Sequence, residues 1–463
     1  MASTYDLIVV GSGFAGSMAT LNFLETCKKL NKSGRVALIE AGRSDERCGA
    51  SRWTMAYLRL DKNLAFDEDW KHEMKAVSKG EADQAYCEKL GQEAQKTALF
   101  VQDHGVKFNH HDEENVLLEF KTGQHFVFPE GGGKAIIDCL MGHIAEYTNV
   151  QVHWETEARH LLTDKRGVIT GLQVRKKDGL LHELYAPNVT IKVLVSTWPL
   201  KSELVQRDPS TVCIVSLWTR ATKPDAVIWG HNYGIVVNEK CKRFYDEGKR
   251  HLFATFEMIA LELWRDHNQK GFFVTDDTIM KRFRPGWVYD TTDQEPEKAD
   301  TIHDLAVKLG IDPDELEKTV KEFNASCNDE QFDLMKLDGK ATTGLSPNKS
   351  NWANPIETAP FYGYPVTSHL TFTYGGVKTN TDAQVLSTNN VPIPGLYAVG
   401  EMTGLFYNGE LNPCHGDSLI DVSAEYPPAT SVLRSLTFGR LAGVSIAEKL
   451  NEKSLLQKVK SVL

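Results

Sequence analysis

Residues 5–16 read "YDLIVVGSGFAG", and this run decides what kind of fold to expect. Its first half, "YDLIVV", is a short apolar run of the kind that becomes a parallel strand buried on both faces. The second half sets Gly11, Gly13 and Gly16 in GxGxxG spacing. The first glycine permits a tight turn, the second lets backbone approach a pyrophosphate, and the third lets helix and strand pack closely. "SMATLNFLETCKKL" follows with helical periodicity, so the free N–H groups of a helix start would face the anion. A second strand, "RVALIE", ends in Glu40, where a carboxylate can accept both hydroxyls of an adenosine ribose. Strand, glycine turn, helix and acidic strand end together predict a dinucleotide fold, open to FAD and NAD alike.

Segments far along the chain favour the flavin. "GGGKAIIDCLMGH" (131–143) is a second glycine turn opening a helix, and "NVQVHWETEARHLLTDKRGVITGLQVRKKDG" (149–179) reads as strands around a charged turn. "STNNVPIPGLYAVGEMTG" (387–404) places the strand "LYAVG" directly before Glu401. This pattern resembles the two-dinucleotide-fold flavoproteins, in which a late segment returns to the N-terminal FAD domain. An NAD(P)-binding module alone gives that return no role.

Composition narrows the function classes. The chain has 463 residues, a net charge of −10 and no Lys/Arg-rich stripe. That argues against a nucleic-acid partner, because phosphate binding needs a concentrated basic footprint. No run approaches the ~20 apolar residues of a membrane span. The start "MASTYDLIVVG" leaves no room for a signal or transit peptide before the first strand, and the final "SVL" is not the usual peroxisomal address. The eight cysteines are scattered without a CxxC pair, which suggests reduced thiols and a cytoplasmic setting.

"GASRWT" (49–54), "NEKCKRFYDEG" (238–248), "GLSPNKSNWANPIETAPFYGYPV" (344–366), "TFTYGGVKTNTDAQVL" (371–386) and "FGRLAG" (438–443) are the most specific passages of a wider resemblance. The chain resembles the fumarate reductase/succinate dehydrogenase flavoprotein superfamily, and within it the tricarballylate dehydrogenase-like FAD proteins. The resemblance implies an α/β fold: a Rossmann-like FAD-binding domain carrying an inserted α+β cap domain. It divides the chain into an N-terminal FAD part (1–209), a cap (210–345) and a C-terminal FAD part (346–463). In the cap, "TIHDLAVKLG" and "DPDELEKTVKEFNASC" read as two helices. The second has Asp312 as N-cap, Pro313 at the first position, Glu315 completing a capping box, and Leu316, Val320 and Phe323 as its buried face.

The implied activity is hydride exchange between flavin N5 and a carbon–carbon bond beside a carboxylate or carbonyl. The implied substrate is a small polycarboxylate or enone; the electron acceptor stays open. Cofactor contacts are expected first at Gly11, Gly13, Phe14, Ala15 and Gly16, then at Glu40, Ala41 and Gly42. Further contacts are expected at Ser51, Arg52, Thr54, Gly132, Gly133 and Ala158, and late in the chain at Gly375, Gly376, Glu401, Ser431 and Val432. Residues 49–54 offer no histidine, so FAD should be bound non-covalently. Counting from Asn238 to the family's proton donor lands on His251, beside Arg250. His369 and Tyr374 stand near the family's substrate histidine and glycine pair.

Two departures stand out. "VLVSTWPLKSEL" (193–204) replaces a glycine-ending strand, and Trp198 and Pro199 cannot accommodate the same backbone approach. The stretch from Ser196 to Gly234 also lacks the family's "NTGDG"-type segment. Second, "GLFYN" and "EYPPATS" would fit the family if joined directly, so Gly409–Ala424 reads as an insertion compatible with a translated short intron. Cys414, His415 and Asp417 inside it read as a loop, since Cys414 and His415 are adjacent and awkward as joint metal ligands. An inactive flavin-fold remnant, an incomplete gene model and a tailoring flavoenzyme of specialised metabolism are the competing expectations. Arg250, Lys349 and Arg434 are too dispersed in sequence to read as a tricarboxylate cage.

Overall fold

A computed structural model of the chain describes residues 4–45, 49–52, 54–78, 80, 82–110, 126–191, 213–218, 230–249, 252–282, 295–333, 336–373, 376–404 and 429–460. It divides into two compact units. The first comprises Met1–His110, His125–Val212 and Thr373–Leu463, and the second His111–Gln124 and Cys213–Phe372.

The first unit begins with β1 (Leu7–Val10), α1 (Phe14–Lys29) and β2 (Val36–Ile39), followed by α2 (Asp69–Val77) and α3 (Gln84–Asp103). Next come β3 (Phe108–His110), β4 (Val127–Pro129), α4 (Gly132–Ala145), β5 (Val150–His153), β6 (Glu157–Thr163), β7 (Ile169–Arg175), β8 (Leu181–Tyr185) and β9 (Val189–Ile191). The second unit holds β10 (Cys213–Trp218), β11 (Ile235–Asn238), α5 (Leu252–Asp266), β12 (Gly271–Asp276), α6 (Asp277–Met280), β13 (Glu297–Ala299), α7 (Ile302–Leu309), α8 (Pro313–Ser326) and β14 (Phe361–Thr373). The chain then returns to the first unit with β15 (Gln384–Leu386), β16 (Pro392–Ala398) and α9 (Ser431–Lys460).

The central sheet of the first unit has the order β15-β16-β9-β1-β2-β5. Every neighbouring pair is parallel except β15–β16. All four residues of β1 and of β2 are buried, as expected of strands covered on both faces. α1 is buried from Phe14 through Leu24. Two of its buried polar residues bond locally: Ser17 Oγ donates to Ser12 O and Asn22 Nδ2 to Met18 O. Against α1 lies α9, and the contact is close because two glycines allow it. A Cβ on Gly439 would stand 2.4 Å from Ala15 O, and one on Gly443 would stand 2.4 Å from Ala19 O.

The second unit is built on an antiparallel sheet, β10-β14-β12-β11, with β13 added to β14. Helices α7 and α8 form the expected hairpin, turned by Gly310 at φ +70. Asp312 caps α8 by accepting from Glu315 N, with Pro313 at the first helical position. Leu316, Val320 and Phe323 join Ile235, Val237, Val274 and Leu305 in one core cluster. The capping box is only half made: the Glu315 carboxylate pairs with Lys242 at 2.5 Å instead of returning to the cap. Beneath this core Glu247 is fully buried and pairs with Arg243, Nη2 to Oε2 at 2.6 Å. Lys349, also fully buried, donates to the carbonyls of Asn232 and Gly234 at 2.7 and 2.5 Å. It is thereby committed to the interior of this unit.

Candidate cofactor-binding site

The turn after β1 is shaped by Gly11 at φ +90, a backbone state that favours glycine. Gly16 is needed for a different reason, since a Cβ there would sit 1.8 Å from Gly11 O. The backbone of this turn is held by Glu40, which is buried at the end of β2. Its Oε2 accepts from Ser12 N at 2.8 Å and Ser12 Oγ at 2.7 Å, and its Oε1 accepts from Gly42 N at 2.9 Å. A carboxylate offers about four acceptor positions. Three are taken by the chain itself, which leaves room for one more donor. Ser12, which the fingerprint counts as a free position, is the residue that sequence reasoning missed.

The second glycine turn lies beside the first. Gly131 and Gly132 have φ of +84 and +66 at the start of α4. Gly133 N donates to Thr54 O at 2.7 Å, and a Cβ on Gly133 would meet Ser51 O at 2.1 Å and the Phe14 ring at 2.7 Å. This brings Phe14, Ser51, Thr54 and Gly133 together around one backbone crossing. Arg52 lines an adjacent cleft with Ser44, Asp45, Lys134 and Asp138. Ala158 is buried in β6, two residues beyond Thr156, whose N–H donates to Glu40 O.

The late return ends on the opposite side of β1. Glu401 lies in a short 3-10 turn, Gly400–Met402, directly after β16. A Cβ on Gly376 would stand 2.1 Å from Met402 O, and Val377 N donates to Met402 O at 2.8 Å. Glu401 is met by Arg434 from α9, Nη2 to Oε2 at 2.8 Å. Arg434 Nη1 also donates to Thr403 O at 3.2 Å. Tyr86 of α3 stacks flat on Phe438 of α9, with centroids 3.7 Å apart, and its hydroxyl lies 3.3 Å from Thr403 Oγ1. Burial pushes the Tyr86 hydroxyl far above its usual range and the Cys87 thiol up to about 12; both are neutral here. Ser431 and Val432 are the first residues of α9.

The topology gives these two ends a relative position. In the order β16-β9-β1-β2, Glu40 and Glu401 follow strands three steps apart, about 14 Å at the usual strand spacing. Between them stands β1 with the fingerprint turn. The neighbours of Gly439 and Gly443 are Ala15 and Ala19, so α9 and α1 run in the same direction. From that register α9 starts seven residues further out than α1, about 10 Å along the axis. The sheet's carboxyl edge is thus a trough with an acidic side chain at each end and two helix starts above it. That is the topological switch point at which α/β sheets bind extended nucleotides.

Of the expected catalytic residues, Arg250, His251 and Tyr374 lie outside the described residues, as do Gly375, the 193–204 junction and the 409–424 insertion. For His369 the structure describes the backbone, within β14. Arg434 pairs with Glu401 within the first unit, and Lys349 is bonded in the interior of the second.

A sequence profile described as "FAD binding domain" matches residues 6–192 and 204–419. The NADH:acrylate oxidoreductase of Vibrio harveyi is 32% identical over 225 residues, 46% of this chain and 18% of that protein. The vinyl phenol reductase of Lactiplantibacillus plantarum is 21% identical over 530 residues, 98% of each chain. In structure, a flavocytochrome c3 fumarate reductase in an open conformation superposes with a TM-score of 0.74 at 18% identity, covering 96% of this chain and 78% of that one. Several curated relatives are therefore much longer proteins, of which this chain spans about a fifth to a third. The chain belongs to the FAD binding domain family, and its cofactor is FAD. The residues present fit that group: glycine-lined helix starts for the pyrophosphate, one open acceptor on Glu40, and a second anchoring side chain across β1.

Proposed function

We propose that this member of the FAD binding domain family is an oxidoreductase acting on a carbon–carbon double bond, or its saturated form, conjugated to a carboxylate or carbonyl. The observation that carries the reading is the trough itself, with Glu40 and Glu401 closing one sheet edge on opposite sides of the fingerprint turn. Bound there, FAD supplies hydride exchange at flavin N5. The names of the acrylate and vinyl phenol reductases support an activated alkene as the substrate class. The narrower form of the proposal is a tricarballylate dehydrogenase-like enzyme taking a polycarboxylate or an enone.

In this reading Gly11, Gly13, Phe14, Ala15 and Gly16 present backbone to the pyrophosphate, and Glu40 takes one ribose hydroxyl while fixing Ser12 and Gly42. Gly132 and Gly133, with Ser51, Arg52 and Thr54, flank the same half of a non-covalently held cofactor. The protein's acid/base group is Arg250 or His251, of which a histidine is the easier donor near neutral pH. His369 and Tyr374 orient the substrate. The free cysteines at 27, 87, 139, 241 and 327 accord with a reducing, cytoplasmic setting.

Purified protein tests this directly. A flavin absorption spectrum, followed by anaerobic titration with acrylate, fumarate, urocanate, vinyl phenols and tricarballylate, should show reduction or reoxidation by at least one class. A colourless protein that takes up no added FAD would instead identify an inactive remnant of the fold.

A further inference from the structure

Arg434 is among the largest fully buried side chains of the chain, and it stands where a cation is least expected. It lies one turn inside the start of α9, the positive pole of that helix. Its pairing with Glu401 is lopsided: the arginine side chain is 2% exposed and the glutamate 32% exposed. The guanidinium is closed in by protein, and both Glu401 carboxylate oxygens are buried as well, so the exposed part of the glutamate is its stem. Stability alone does not explain the arrangement, because a buried ion pair is often no better than apolar side chains of similar volume.

Its place in the trough suggests a purpose. With the pyrophosphate at the turn after β1 and the adenosine on the Glu40 side, the flavin half must lie over the ends of β9 and β16. That is the end holding Glu401 and Arg434. We propose that the Arg434–Glu401 pair sets the reduction potential of the bound flavin. This rests on the FAD-dependent reading above. When the ring takes up two electrons with fewer protons it gains negative charge, which the guanidinium stabilises and the carboxylate opposes. At an effective dielectric of about 20, one unit charge removed from within about 10 Å changes that balance roughly tenfold.

The two partners should therefore act with opposite sign, which a purely structural role does not produce. Spectroelectrochemical titration of the bound flavin in wild type, R434Q, R434K and E401Q reads it. R434Q should shift the two-electron equilibrium toward oxidised flavin about tenfold, which is about 30 mV lower. R434K should stay near wild type, and E401Q should shift the other way. Unchanged potentials, or R434Q and E401Q moving together, overturn the proposal. If R434Q fails to fold, E401Q alone decides, since an unchanged or lowered potential is contrary to the argument. A wild-type protein that takes up no FAD overturns the underlying cofactor reading, whereas flavin-loaded variants with wild-type potentials overturn only the role of the pair.

Discussion

Changing Glu40 to glutamine tests how the site is preorganised. The carboxylate now accepts three hydrogen bonds from two backbone amides and one hydroxyl. An amide has one oxygen and one NH2 group. Its better orientation keeps the oxygen on Ser12 and turns the NH2 group against Gly42 N–H, donor against donor. One bond to a charged acceptor is then lost, about 1.5–3 kcal/mol, and two others become neutral and weaker. Because the bonds hold the turn that receives the pyrophosphate, much of that loss should appear in cofactor binding. The dissociation constant for FAD should rise roughly 10- to 100-fold, measured by fluorescence titration of the cofactor-free protein. Ser12→Ala removes a single bond to Oε2 and should weaken binding by less. An E40Q protein that binds FAD within twofold of wild type would refute the claim that Glu40 acts by holding the turn.

Gly439→Ala places a methyl 2.4 Å from Ala15 O, so α1 and α9 must part by about 1 Å. Overpacking of this size costs about 1–3 kcal/mol, read as a lowered melting temperature in calorimetry; an unchanged melt contradicts the packing. Glu247→Gln removes the buried carboxylate that pairs with Arg243 in the second unit's interior and should cost about 3–5 kcal/mol. Faster hydrogen exchange at Val236, whose N–H Glu247 accepts at 2.8 Å, checks it at one amide. Lys349 has its pKa pulled down by burial to about 8 from 10.5. Unfolded chains therefore bind more protons between pH 8 and 10.5, and folding gains stability from this group as pH rises through that window. The urea midpoint of wild type relative to K349M should rise from pH 7.5 to 9.5; a flat difference excludes the shift.

Much of the first unit is readable from local signals. β1, the fingerprint turn, α1 and β2 follow from a continuous apolar run, three spaced glycines and an acidic strand end, because local sterics dictate each of them. The α7–α8 hairpin was similarly legible from Gly310, Asp312 and Pro313, which act within their own turns. What escaped is tertiary. Ser12 carries no motif that marks it as the partner of Glu40. Arg434 stands 33 residues after Glu401 in the sequence, and only the register of α9 on α1 brings them together. Glu315 illustrates the same limit in miniature: a capping box was a sound local expectation, and Lys242 from another segment took the carboxylate.

The sheet order has a consequence for how the protein is made. β1 is completed on one side by β2, available almost at once, and on the other by β9, which is itself flanked by β16 from residues 392–398. α1 likewise waits for α9, the helix beginning at residue 431. At 5–20 residues per second of synthesis, roughly 20 to 80 seconds pass between the emergence of α1 and that of the helix that covers it. During that interval the whole second unit is translated, and an apolar helix and strand edge stand uncovered. The nascent chain should therefore be a chaperone client, and FAD should join it only after synthesis ends.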